Sequence, residues 1–337
     1  MRKEATIEQW KRLYEVATRL KEMEPWEKFW DSDIIGIQEG LEEDTTFYSI
    51  LGYHGDCFGI AVYEGYAGLN DFMMIMMQEP MNLPTKYAMF SQNNLTCYWG
   101  NREELTEKQR KNIKEMGYKY RGKNQWLYFL SFKSGYYPYD LDQDEVLRMT
   151  NYFLNLELAL QCYEKELFDA DFYEGEMYGF ELDENKKMQK FGAKQLPFTS
   201  FKFENLVITD EKLLSDLKAS AKSDTILEVD AVILGISVND KKYERPASPA
   251  TYMIAEAKSG IILRCEFQEP EDNVIVSLVG DLIGFILQYG APKEIRVSNA
   301  LVEAGLGQIC KVCGVKLRRV QKLKTLEEFQ KGMGRFL

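Results

Sequence analysis

The chain has 337 residues, 45% hydrophobic and 28% charged, enough for two domains that each bury a core of their own. Its formal net charge of −11 excludes a protein that coats nucleic acid with its whole surface, because phosphate binding rests on Lys and Arg. One histidine, His54, excludes every site built on two or more histidines, including the two-His zinc helix.

In chain order, the first residues carry charges throughout and no apolar stretch suited to a signal peptide. Residues 7 to 24 read as an amphipathic helix, with Trp10, Leu13, Tyr14, Ala17 and Leu20 at helical spacing. In "TTFYSILGYHGDCFGIAVYEGY" two aromatic and β-branched runs flank His54-Gly55-Asp56, a hairpin signature that makes His54 a turn residue. "LNDFMMIMM" reads as adaptable core. A strand near Leu95 to Trp99, a helix over Glu103 to Met116 and a strand around Trp126 follow. A long helix then runs from about Asp142 to Phe168, its start favoured by Asp142 and Asp144. All five tryptophans lie in the first 126 residues, so the expectation for 1–185 is an aromatic-rich α+β domain.

Residues 183 to 198 are polar and carry Gly192 and Pro197, which sets a boundary, with a linker and a capped helix over 186–224. Clean strand patterns follow at 225–238, 250–257 and 260–267, the last two joined by a Lys-Ser-Gly turn. Next come an apolar helix (273–289), a strand (293–297), a helix (299–313), a strand (315–320) and a last helix from Thr325. The apolar helix is interrupted by Asp281 and is short for a membrane span. For 225–337 the order is therefore β-β-β-α-β-α-β-α, an α/β domain with a mixed sheet. Functional groups in such sheets gather at the strand ends where the strand order reverses.

That series resembles the ribonuclease H-like fold, and the local sequence is similar to the catalytic cores of retroviral integrases and related transposases. The motifs are "ILEVDAVILG", which puts Asp230 after a few apolar residues; the hairpin "ATYMIAEAKSGIILRCEF"; and "GAPKEIRVSNA", which keeps Pro292, Lys293 and Asn299. The resemblance implies Asp-Asn at the end of that last strand and a Glu on the final helix. Here Ser298 stands for the Asp, and Glu327 and Glu328 are the nearest candidates for the Glu. The family's chemistry clamps two Mg²⁺ ions about 3.5–4 Å apart, which requires carboxylate oxygens. A neutral hydroxyl at 298 adds no charge, so the resemblance implies a retained fold with a degenerate site, its candidates Asp230, Glu256, Ser298 and Glu328. Glu328 also completes a Thr325-Leu-Glu-Glu capping box. The whole chain further resembles a bacterial family of two-part cytoplasmic proteins, which implies no activity.

From Lys311 to Leu337 eight basic residues face two acidic ones. Lys316, Arg318, Arg319, Lys322 and Lys324 are thus candidates for contact with an anion. Cys310-Lys-Val-Cys313 closes a helix before Gly314, the end opposite to the one that favours thiolate, and reads as buried inert thiols. The six scattered cysteines fit a reducing cytoplasm. The function expected is a non-catalytic cytoplasmic binding or scaffold protein, without cofactor or metal and off the membrane, with a protein or nucleic-acid partner. A metal-dependent nuclease or phosphoryl-transfer enzyme, the case that needs Mg²⁺, is the first alternative. Nucleic-acid binding without cleavage through the basic segment is the second.

Overall fold

The computed structural model describes residues 2–165, 168–183, 185–203 and 206–333. In chain order the elements are α1 (Ile7–Glu22), β1 (Ile35–Glu39), β2 (Thr46–Leu51), β3 (Gly59–Glu64), α2 (Gly65–Met76), α3 (Gln78–Met81), α4 (Thr85–Phe90), β4 (Asn94–Gly100), α5 (Glu107–Met116), β5 (Trp126–Phe132), α6 (Gln143–Lys165), β6 (Glu176–Leu182) and β7 (Met188–Gln195). There follow α7 (Glu211–Ala219), β8 (Ile226–Ile233), β9 (Ala250–Glu256), β10 (Ile262–Gln268), α8 (Val274–Tyr289), β11 (Glu294–Val297), α9 (Ala300–Cys313), β12 (Lys316–Arg319) and α10 (Lys324–Met333). They fall into two units: residues 1–76, 92–133 and 137–201, and residues 77–91, 134–136 and 202–337.

The first unit is a seven-stranded mixed sheet, β5-β4-β3-β2-β1-β6-β7, antiparallel except between β1 and β6. Strand alternation sends Tyr48, Ile50, Ile60 and Val62 to one face, where α1 and α6 bring Leu13, Tyr14, Phe153 and Leu156. Phe47, Ala61 and Tyr63 point the other way, against Leu69, Phe72 and Met73 of α2. Both faces are covered, which is why β2 and β3 read as near-continuous apolar runs. The hairpin stands as its sequence indicates, with His54 exposed in the turn.

The second unit is a five-stranded sheet in the order β10-β9-β8-β11-β12, antiparallel from β10 to β8 and parallel from β8 to β12. Odd-numbered residues of β8 (Leu227, Val229, Ala231) face a core built from α7, α8 and α9. The even-numbered ones face the side where Leu323, just before α10, and Leu326, on it, pack against Met253 and Ala255. Glu228 and Asp230 thus lie on the α10 side, and both are buried. Gly314, at φ +59°, ends α9 in the left-handed cap that favours glycine.

The division differs from the boundaries expected at 185 and 224 in two respects. The polar stretch read as a boundary contains β7, an edge strand with no buried residue on either face, so it needs no apolar alternation. Residues 77–91 and 134–136, read with the aromatic half, belong to the second unit. Lys86 Nζ donates to Leu234 O at 3.1 Å, and Asn82 Nδ2 to Ser298 O at 2.8 Å. The first strand of that unit is also shorter than expected, ending at Ile233 rather than 238. No helix among the described residues is long and apolar enough to cross a membrane.

Candidate functional site

The register of β11 on β8 pairs Arg296 with Glu228, so two residues further on Ser298 comes beside Asp230. The contact is direct. Asp230 Oδ1 accepts from Ser298 Oγ at 3.1 Å, from Asn299 Nδ2 at 3.1 Å and from the Ala231 amide at 3.0 Å. Asn299 is fixed by a second duty: its Oδ1 caps α9 by accepting the Val302 amide at 3.0 Å. Asn82 holds the Ser298 carbonyl from α3's C-terminal end. Burial pushes the Asp230 carboxyl up to about 7, against the pull of its three donors, and the Glu327 charge adds to the rise.

Glu327, on the first turn of α10, is therefore the residue of the final helix that acts on Asp230, and Glu328 is exposed. The capping box expected at Thr325 and Glu328 does not form, because α10 starts at Lys324 and Thr325 lies inside it. Its free amides are met instead by Glu228, whose Oε2 accepts from Thr325 N at 2.8 Å and Leu326 N at 3.3 Å. A carboxylate across the helix start satisfies two orphan donors and the helix dipole together.

Glu256 does not join the cluster. It pairs with Leu227, about 10 Å along the strand from Asp230 and on the opposite face. Its carboxylate closes the β9–β10 turn by accepting the Lys258 and Ser259 amides, and Ser259 holds it below the usual carboxylate range. Of the four candidates, Asp230 and Ser298 meet; Glu256 and Glu328 do not. Asn299 and Glu327 complete the group. No set of three metal-ligating acids, cysteines or histidines converges among the described residues.

The basic candidates divide in two. Lys316 pairs with Glu294 at 3.2 Å and Arg319 with Glu303 at 3.6 Å. Glu294 also takes Arg296 at 2.8 Å, and these cations hold its carboxyl below the usual range. Arg318, Lys322 and Lys324 are exposed. Cys310 and Cys313 are buried on the last turn of α9, where burial pushes the Cys310 thiol up to about 12 and raises Cys313 as well.

The family model described as Domain of unknown function (DUF7309) matches residues 10–178. The chain belongs to that family. A second model, Domain of unknown function (DUF6930), matches residues 213–334, which contain Asp230, Ser298, Asn299, Glu327 and the basic segment. The DUF7309 stretch contains the first unit's sheet as far as β6, together with α3 and α4. No curated protein matches the chain.

Proposed function

We propose that this is a non-catalytic binding or scaffold protein whose C-terminal unit is a ribonuclease H-like domain with a degenerate site. Support for the fold comes from three strands paired antiparallel, then two reached through helices and laid parallel to the first, as the sequence motifs require. The observation that carries the function is the pair of neutral donors on Asp230, Ser298 Oγ and Asn299 Nδ2, both at 3.1 Å. Two Mg²⁺ ions need several converging carboxylate oxygens. Here Asp230 is a carboxyl of raised pKa engaged by amide and hydroxyl groups, with Glu327 a further acid acting on it. The donor set does not fit a two-metal centre.

The test is incubation of the full chain with Mg²⁺ or Mn²⁺ and single- or double-stranded DNA and RNA. No cleavage above the metal-only control is expected. Steady cleavage that disappears in Asp230→Asn would overturn the reading in favour of a nuclease. A second reading, nucleic-acid binding without cleavage, is favoured by the exposure of Arg318, Lys322 and Lys324 on and just beyond an edge strand.

A further inference from the structure

The first unit holds a cleft of about 310 Å³ at the end of β3, β4 and β5, between α2 and α6. That volume suits a small ligand. Five charged residues line it: Glu64, Asp71, Lys133, Glu145 and Arg148. Gly68, Leu95 and Phe132 supply apolar wall.

The charges are not equally available. Arg148 is bound to Glu64 Oε1, which also accepts from Tyr152 Oη at 2.7 Å. Glu145 spends one oxygen on Ser131 Oγ at 2.6 Å and the other on the Asp142 amide at 2.8 Å. Asp71 differs. It is the one charged residue in α2, set among the buried Leu69, Phe72, Met73 and Met74. Its Oδ2 accepts both the amide and the Nδ2 of Asn93, at 2.8 and 3.0 Å. Its Oδ1 receives no hydrogen bond from the described residues. That oxygen is not buried, so it stays open to the solvent of the cleft, where an ammonium can donate to it in place of water.

We propose that this cleft binds a small organic amine, its ammonium on Asp71 Oδ1 and its alkyl part over Gly68, Leu95 and Phe132. An anion is disfavoured because the acids outnumber the bases and Arg148 is already engaged. A divalent cation is disfavoured because no third ligating group converges there among the described residues. The site is separate from Asp230 and does not rest on the ribonuclease H-like reading.

Burial raises the Asp71 carboxyl to about 6 against the two Asn93 bonds. Facing it are Glu64 from β3, Lys133 beyond β5, and Glu145 and Arg148 from α6. The amine stays charged throughout, so binding requires the Asp71 carboxylate and fades as the pH falls through about 6.

The test is calorimetry or ligand-observed NMR on the full chain with n-butylamine and putrescine, and butyrate as the anionic control. Saturable amine binding at about pH 8 is expected, weaker by about 10-fold or more at about pH 5. Asp71→Asn should lose about 10- to 100-fold in affinity. Ala67→Leu, a change at an exposed helix position on the cleft wall, should block binding while the far-UV spectrum stays unchanged. It decides the matter if Asp71→Asn fails to fold. No saturable amine binding, equal binding of butyrate, or full affinity in a folded variant would each overturn the proposal.

Discussion

Glu228 and Thr325 are 97 residues apart in the chain, yet Glu228 Oε2 stands 2.8 Å from the Thr325 amide and supplies the start of α10 with the acceptor its own sequence does not provide. Because Glu228 is buried, its removal leaves two helix amides and a void. Glu228→Ala should cost about 2–3 kcal/mol, and Glu228→Gln, which keeps an acceptor oxygen, about 1 kcal/mol or less. Urea unfolding followed by far-UV circular dichroism measures this. Tryptophan fluorescence reports the first unit alone, since all five tryptophans lie there, and its transition should be unmoved by a local effect. An Ala variant within about 0.5 kcal/mol of the parent would show that the bond does not hold α10.

Asp230 makes stability depend on pH in an unusual direction. Its carboxyl titrates near 7 in the folded protein and near the ordinary 3.8 when unfolded. The folded state therefore keeps a proton that the unfolded chain releases between those values. The contribution is fully present below about pH 4 and is lost as the pH rises through about 7. Asp230→Asn preserves an acceptor for Ser298, Asn299 and Ala231 without a charge to desolvate. It should exceed the parent by about 1–3 kcal/mol at about pH 8 and match it near pH 4. Parallel pH–stability curves for the two proteins would refute this assignment.

The thiols should separate by burial. Cys57 is exposed, whereas Cys97, Cys310 and Cys313 are buried, with burial raising the pKa of each of the three. A thiol-reactive chromophore near pH 8 should label Cys57 fastest and leave those three protected until unfolding, and Cys57→Ser should remove the fast phase. Fast labelling at Cys310 or Cys313 would contradict the inert reading of this pair.

If the basic segment meets nucleic acid, the exposed cations carry the contact. The triple change of Arg318, Lys322 and Lys324 to Ala should weaken binding at every sequence and reduce the slope of log K against log salt by about 2–3. Lys316→Ala and Arg319→Ala should matter less, because both cations are already paired with acids. Affinity that does not change with salt would dismiss the basic-surface reading.

Local patterning carried most of the architecture, and its gaps have definite causes. The strand and helix series from 225 onward, the β2–β3 hairpin and the long α6 could all be read because each repeats an apolar spacing over several residues. β7 was hidden because neither of its faces is buried, so it carries no apolar alternation. Residues 77–91 were hidden because helices as short as α3 and α4 carry no period, and their apolar residues suit either core. At the site, Asp230 and Ser298 could be matched by motif. Glu228 could not, since a carboxylate that caps a helix far along the chain leaves no local signature. Glu327 and Glu328 are adjacent in sequence and separated only by the rotation of the helix on which they sit.

In the proposed degenerate site Ser298 stands where a metal-bridging acid would sit, and Asp230 is held by neutral donors. Calorimetric titration of Mn²⁺ into the parent protein and into Ser298→Asp, near neutral pH, tests it most directly. The parent should show no saturable binding up to about 10 mM, and Ser298→Asp should bind in the millimolar range or better, where Asp230 and the new carboxylate share the cation. Submillimolar binding by the parent that is abolished by Asp230→Asn would contradict it.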